Sequence, residues 1–248
     1  MLCPICKSEL DGNNGFRCSR FPICTYQYVD TEQFDDESYI VFDFETTGRS
    51  HQKDTIIEIG AVKVKNGEAV DSFDMLINPG LDEFGNQIYV SEFITNLTKI
   101  DNAMLENKPL LEEAMQEFIK FIGDEKICSG QNILAFDIPF LRAACAKCKI
   151  EFPFERYFDT LKIARDQLML KRKGLVENNT QTSLAAYYGF EYNAHRAEDD
   201  AKASYRILEE MKREGKRLGL TIQSAQIEKG RQKCAMLSNS TQNVTVKL

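Results

Sequence analysis

Residues Tyr39-Ile40-Val41-Phe42-Asp43-Phe44-Glu45-Thr46-Thr47-Gly48 decide how this chain is read. The run is apolar and aromatic, yet it carries two acids and ends in Thr-Thr-Gly. In a β-strand alternate residues share a face, so Val41, Asp43 and Glu45 project one way while Phe42 and Phe44 project the other. The two carboxylates then stand about 7 Å apart along the strand, near enough to serve one cation. Thr46, Thr47 and Gly48 turn the chain away, offering backbone N–H groups and hydroxyls at the edge of the site. Taken alone, an acid pair on a strand is weak evidence, because exposed strand faces often carry acids.

The flanking segments supply context. Ile56 to Lys65 and Val70 to Ile77 are β-rich and separated by Asn66-Gly67, a strong hairpin signal, so the first three strands read as an antiparallel meander. Thr98-Lys99-Ile100-Asp101 reads as a capping box opening a helix. Leu110 to Phe121 has apolar residues at spacings of three and four, with Pro109 at its start, and reads as a further helix. Lys126 to Gly130 reads as a fourth strand ending at Gln131-Asn132. The following helix runs from about Ile138 through Cys148, with Pro139 tolerated in its first turn. Asp137 therefore lies where a strand hands over to a helix, a usual place for site residues in open α/β sheets.

A third fragment, His195-Arg196-Ala197-Glu198-Asp199-Asp200-Ala201, carries the chain's other candidate groups. Five helical steps rotate a side chain by about 500°, or roughly 140° net, so His195 and Asp200 cannot converge from within one helix. His195 is thus expected in the preceding loop. Asp200 is expected in the early turns of a helix running to about Lys212, with Ala201, Tyr205 and Leu208 as its apolar stripe. His51, the other histidine, reads as a surface loop residue. Four acids and one histidine from three distant fragments meet only through a fold; if they meet, they form a cage of hard oxygen ligands suited to divalent cations and phosphodiester cleavage.

Composition sets the frame. With 248 residues, 43% hydrophobic and 28% charged, the chain can bury one large core plus a small appended module. No apolar stretch approaches the roughly 20 residues of a membrane-spanning helix, and Met1-Leu2-Cys3-Pro4-Ile5-Cys6 lacks the basic start and apolar body of a signal peptide. A cytoplasmic protein without membrane association is the expectation. In a reducing compartment the closely spaced members of the eight cysteines read as metal ligands. A net charge of −7 and a pI near 5.1 argue against a surface that coats duplex DNA by charge alone. Local basic clusters do occur at Lys162, Arg165, Lys171, Arg172 and Lys173, and at Lys212, Arg213, Lys216 and Arg217; each is equally well read as a solvated helix end.

Residues 1–30 form a separate unit. Cys3 and Cys6, then Cys18 and Cys24, make two knuckles able to offer four thiolates to one tetrahedral zinc ion. So short a segment cannot build an adequate core, so zinc binding would supply its folding free energy. Gly12 to Gly15 read as a turn between two short strands. Gly15-Phe16-Arg17-Cys18-Ser19-Arg20-Phe21-Pro22-Ile23-Cys24 resembles the four-cysteine zinc ribbons of bacterial type I topoisomerases. That resemblance implies contact of Phe16, Arg17, Arg20 and Phe21 with single-stranded nucleic acid, by stacking and phosphate pairing; the plainer alternative is that the aromatics only cover the zinc site. Residues 31–38 form an acidic linker, 39–216 the main domain, and 217–248 a polar tail without a clear period. Cys145 and Cys148 read as one face of a helix with no metal.

Asp43-x-Glu45-Thr46-x-Gly48, Asn132-x3-Phe136-Asp137 and His195-x-Ala197-x2-Asp200-Ala201 together resemble all three motifs of the DEDDh 3′–5′ exonucleases, the superfamily of the proofreading epsilon subunit of bacterial DNA polymerase III. Leu97-Thr98-Lys99-Ile100 is similar to that family's Leu-Thr-Gly-Ile, with Lys99 in the glycine's place. The resemblance spans roughly residues 38 to 214. It implies an α/β, ribonuclease H-like mixed-sheet exonuclease fold and hydrolysis assisted by two Mg²⁺ or Mn²⁺ ions. Asp43, Glu45 and Asp200 would hold one ion, Asp43 and Asp137 the second, and His195 would act as general base. Thr46, Thr47, Asn132 and Phe136 would lie against the nucleic acid, although core packing is the favoured role of Phe136 and Phe140. The expected substrate is a single-stranded or frayed DNA 3′ end, cut to nucleoside 5′-monophosphates, with a polymerase or repair complex as partner. An RNA-trimming enzyme and a non-catalytic interaction protein are the competing readings. Oligomeric state is not legible.

Overall fold

A computed structural model describes residues 10–11, 17–18 and 38–228. The first two pieces are strands β1 (Leu10–Asp11) and β2 (Arg17–Cys18), which pair antiparallel with Leu10 opposite Cys18, as the turn signal at residues 12–15 suggests. Cys3, Cys6 and Cys24, together with Phe16, Arg20 and Phe21, lie outside the described residues, as do most of the linker 31–38 and the end of the tail from residue 229.

The main body is a six-stranded mixed sheet. Its strands are β3 (Tyr39–Thr46), β4 (Ile56–Lys65), β5 (Glu68–Leu76), β6 (Ile127–Gly130), β7 (Arg156–Asp159) and β8 (Ala225–Gln226), in the spatial order β5-β4-β3-β6-β7-β8. β3, β4 and β5 form the expected antiparallel meander. Its β4–β5 turn is a two-residue loop with Asn66 at φ 52° and Gly67 at φ 75°, both in the left-handed region that a type I′ hairpin requires. β6 and β7 run parallel to β3, and β8 closes the far edge antiparallel to β7. Parallel pairing of β3 with β6 runs only from Ile40 and Cys128 to Val41 and Ser129. Beyond that point the two strands part, leaving the acidic half of β3 open on one side.

Alternation along β3 feeds two cores. Ile40, Phe42 and Phe44 face helices α3 (Leu111–Ile122) and α4 (Asp137–Lys147), whereas Tyr39 and Val41 face the opposite layer. α3 buries Leu111, Ala114, Met115, Phe118 and Ile122, the stripe its sequence spacing foretells, and each large member contributes about 1.5–3 kcal/mol. The opposite layer holds α5 (Thr160–Lys162) with its π-helical continuation Ile163–Gln167, α6 (Gln181–Tyr187) and the long α7 (Ala197–Arg217).

Two expectations need correction. Thr98 closes a helix instead of opening one: α1 (Glu92–Thr98) is capped by Ser91, and the Thr98 hydroxyl donates back to the Ile94 carbonyl at 3.0 Å. Lys99 takes the left-handed C-cap conformation at φ 63°, and Asp101 caps the next helix, α2 (Asn102–Leu105), by accepting from the Met104 N–H. Ser91 and Asp101 are the true starts because their side chains reach the orphan N–H groups. Second, the domain does not stop at residue 216. The segment following α7 returns to the body, where Ile222 packs in one core and Ile227 in the other, and β8 pairs with β7. Two apolar residues five apart in a polar stretch carry no periodic signal, so sequence alone assigned them to a tail.

Candidate active site

The site forms where β3 loses its parallel neighbour. Asp43 and Glu45 project on the Val41 face toward α7, and Asp200 enters from the first turn of that helix. Carboxylate oxygens of Asp43, Glu45 and Asp200 all lie within 4.8 Å of one another. Asp137, the first residue of α4, reaches the same strand end from the other side, and its Oδ1 accepts the Phe44 N–H at 3.1 Å. That N–H has no partner strand beside it, so the carboxylate satisfies a backbone donor while standing next to the cluster.

Electrostatics set this quartet apart from a solvated acidic face. Burial raises the Asp43 carboxyl well above the ordinary range, and repulsion from Asp137, Asp200 and Glu45 adds to it. Glu45 is pushed up to about 8, by burial first and then by Asp200, Glu58 and Asp137. Asp137 likewise rises to about 8 through burial, with the N–H groups of Phe44 and Asp137 itself opposing. Burial also raises Asp200, although N–H donors from His195 and Arg196 and the Tyr192 hydroxyl pull the other way. Four carboxylates, Asp137 and Asp200 buried and Asp43 and Glu45 half-buried, resist ionising together unless a cation joins them. An all-oxygen donor set of this kind fits a hard divalent ion.

The histidine loop is tied to the same cluster. His195 sits before α7, as the helical geometry required, in a left-handed conformation at φ 70° with its side chain exposed. Asp200 Oδ2 accepts the His195 N–H at 2.7 Å and the Arg196 N–H at 3.1 Å, so the carboxylate satisfies backbone donors of the loop just before the helix. One carboxylate thus sets both the helix start and the path of the loop.

Other expected contacts are mainly spent on local structure. The Thr46 hydroxyl donates to the Gly48 carbonyl at 2.5 Å, and Thr47 Oγ1 accepts the Thr55 N–H at 3.0 Å. Asn132 is exposed at φ 56°, and its carbonyl accepts N–H groups from Ala135 and Phe136. Phe136 is half-buried with its ring 5.1 Å from that of Phe140, which is fully in the core. Within the basic clusters, Arg165 pairs with Asp166, Lys212 with Glu209 and Arg213 with Glu210.

Sequence reading missed three residues. Glu58 on β4 is 0% exposed and grips Arg196 and the Ala197 N–H; Gly60 on the same strand lies directly under α7; and Asp159, at the end of β7, stands buried beside Asp137. The available signal was a charged residue inside the apolar run Ile56-Ile57-Glu58-Ile59-Gly60-Ala61-Val62.

A mixed sheet carrying clustered acids on its central strand, with an exposed histidine in the loop tied to one of them, defines a nuclease-like hydrolase domain. The chain belongs to the RNase_T family, described as Exonuclease, whose model matches residues 40–208, and it carries a 3′–5′ exonuclease domain. It is 35% identical over 184 residues to "DNA polymerase III PolC-type" of Caldanaerobacter subterraneus, covering 73% of this chain and 12% of that protein. The corresponding figures for the protein of the same name from Clostridium perfringens are 37% over 182 residues, 71% and 11%. The chain therefore spans only about an eighth of those relatives. Its fold matches E. coli Exonuclease I in complex with a dT13 oligonucleotide at a TM-score of 0.64 and 16% identity, over 74% of this chain and 42% of that one. A 3′-exonuclease described as recognising a histone mRNA stem-loop matches at 0.58 and 18%, over 78% and 92%. Among the described residues no helix is long and apolar enough to cross a membrane.

Proposed function

We propose that this protein removes nucleotides one at a time from single-stranded or frayed DNA 3′ ends, releasing nucleoside 5′-monophosphates. The convergence of Asp43, Glu45 and Asp200 within 4.8 Å carries the reading. DNA is favoured over RNA because the relatives at 35–37% identity are DNA polymerases by name. Asp43, Glu45 and Asp200 would hold one divalent ion, Mg²⁺ or Mn²⁺, and Asp43 with Asp137 a second. Such ions supply charge neutralisation at the attacked phosphate and lower the proton affinity of the attacking water. His195 takes the proton from that water on its imidazole. Water oxygen bonds to phosphorus, the bond from phosphorus to the 3′-oxygen of the preceding nucleotide breaks, and that oxygen leaves protonated from solvent. Asp200 keeps the histidine loop in place through the His195 N–H while serving the cation. Cys3, Cys6, Cys18 and Cys24 are proposed to hold one structural Zn²⁺, with Arg17, Arg20, Phe16 and Phe21 against the strand. A cytoplasmic polymerase or repair complex is the proposed setting.

The test is digestion of two 5′-labelled single strands of the same sequence, one DNA and one RNA, with Mn²⁺ or with EDTA, beside Asp43→Ala. A stepwise ladder on DNA that disappears with EDTA and with Asp43→Ala is the expected result. Faster shortening of RNA overturns the substrate assignment, and no shortening of either overturns independent catalysis.

A further inference from the structure

Glu58 stands directly opposite Glu45 in the β3–β4 ladder. Like charges facing each other across a strand pair are destabilising, and here the pair adjoins three more acids. Glu58 is fully buried and its charge adds to the repulsion felt by Glu45, yet it is not one of the three clustered carboxylates, and both its oxygens are engaged elsewhere. Oε1 accepts from Arg196 Nε at 3.0 Å and Nη2 at 2.7 Å, and Oε2 accepts the Ala197 N–H at 2.9 Å. Because Glu45 and Glu58 are cross-strand partners on one face of the sheet, the guanidinium held by Glu58 stands beside Glu45. Arg196 therefore has a choice of carboxylates. Glu58 offers a fixed, desolvated fork with two bonds, whereas Glu45 offers a place in the most negative part of the molecule. Two further acids lie in the field of Arg196: Asp199 in the first turn of α7, and Asp74, which is exposed on β5 and faces Gly60 from the side of β4 away from β3.

We propose that Glu58 is a positioning residue which keeps the Arg196 guanidinium off Glu45, leaving the Asp43, Glu45 and Asp200 cluster free to take its divalent ion. This rests on the reading of that cluster as a cation site. Arg196 belongs to the same short segment as His195 and Asp200, so its cation is unavoidably delivered to the site's edge when the loop docks. Glu58 is the acceptor that takes it. Losing the carboxylate while retaining the arginine converts a neutralised pair into a free internal competitor for the metal.

The decisive comparison uses the full chain as wild type, Glu58→Gln, and Glu58→Gln combined with Arg196→Met. Mn²⁺ binding is measured by isothermal titration calorimetry, melting is measured in EDTA, and kcat and KM are measured on a single-stranded oligonucleotide. Glu58→Gln is expected to weaken Mn²⁺ binding by about 10–100-fold and to lower kcat at limiting Mn²⁺ with the oligonucleotide KM little changed, while the EDTA melting temperature falls because a buried acceptor is lost. The double variant, lacking the competing cation, is expected to recover most of the lost Mn²⁺ affinity; replacing a buried ion pair by neutral side chains of similar volume is usually tolerated. Wild-type Mn²⁺ affinity in Glu58→Gln, or no recovery in the double variant, overturns the proposal. Absence of Mn²⁺ binding by the wild type overturns the cation-site reading itself.

Discussion

Gly60→Ala tests how the site is assembled. Gly60 is paired with Asp43 in the ladder, and α7 crosses it so closely that an added Cβ would stand 2.0 Å from the Ala197 carbonyl carbon, 2.1 Å from the Glu198 nitrogen and 2.2 Å from the Ala197 oxygen. All three are backbone atoms, so no side-chain rotation relieves the overlap. Ordinary contact begins at 3.4 Å, and the helix must withdraw by about 1.4 Å. Asp200 rides on the same first turn. Two oxygens bound to one Mg²⁺ at about 2.0–2.1 Å stand no more than about 4.2 Å apart. From within 4.8 Å the three carboxylates close to that limit by small side-chain rotations, whereas the retreat of α7 carries Asp200 away from it. Overpacking of this kind costs about 1–3 kcal/mol, or a melting temperature lower by about 2–12 °C for a domain this size. Thermal melts in EDTA and in Mn²⁺ read both effects. At 100 times its dissociation constant Mn²⁺ adds about 2.7 kcal/mol to the wild type, a rise of about 5–11 °C, and Gly60→Ala should forfeit most of it. A variant that melts like the wild type and keeps its full Mn²⁺ increment would refute the close-approach argument.

Further expectations concern charge, backbone and the chain's return. Asp43→Asn should abolish DNA shortening and the Mn²⁺ increment while raising the EDTA melting temperature, because it removes a half-buried carboxylate held against three others; a lower EDTA melting temperature contradicts this. Glu45 and Asp137 each titrate at about 8 in the folded protein, above their usual values, so the native state binds more protons than the unfolded chain between those limits. Metal-free stability should therefore be full below about pH 4 as regards these groups and fall as pH rises through 8, and a flat EDTA melting profile from pH 5.5 to 8.5 speaks against it. Lys99→Gly should raise stability by up to about 1 kcal/mol by relieving a left-handed lysine at φ 63°, measured by urea unfolding; no gain means that the lysine's bond to the Asn96 carbonyl outweighs the strain. Ile227→Asp should cost about 3 kcal/mol or more if the segment after α7 is part of the core, and wild-type stability would place it outside.

Much of the architecture was legible because its causes are local. Alternation in Val41-Phe42-Asp43-Phe44-Glu45 follows from the two-residue period of a strand, the Asn66-Gly67 turn from the left-handed conformations those residues tolerate, and the loop position of His195 from the pitch of a helix. The capping residues around Thr98 and Lys99 were harder, since a threonine hydroxyl can close one helix as readily as open the next, and only the backbone path shows which carbonyl it meets.

The sequence by itself determined the strand face carrying Asp43 and Glu45, the helix starts beside Asp137 and Asp200, and a family resemblance, because spacing, turn chemistry and side-chain type act over a few residues. Only the tertiary structure decided that the buried Glu58 and the partly exposed Arg196, 138 positions apart, form an ion pair, that Gly60 must lack a side chain under α7, and that Ile222 and Ile227 belong to the core. Burial, close approach and charge pairing depend on which surfaces the packed sheet and helices bring together, and residue spacing along a single chain does not encode that distance.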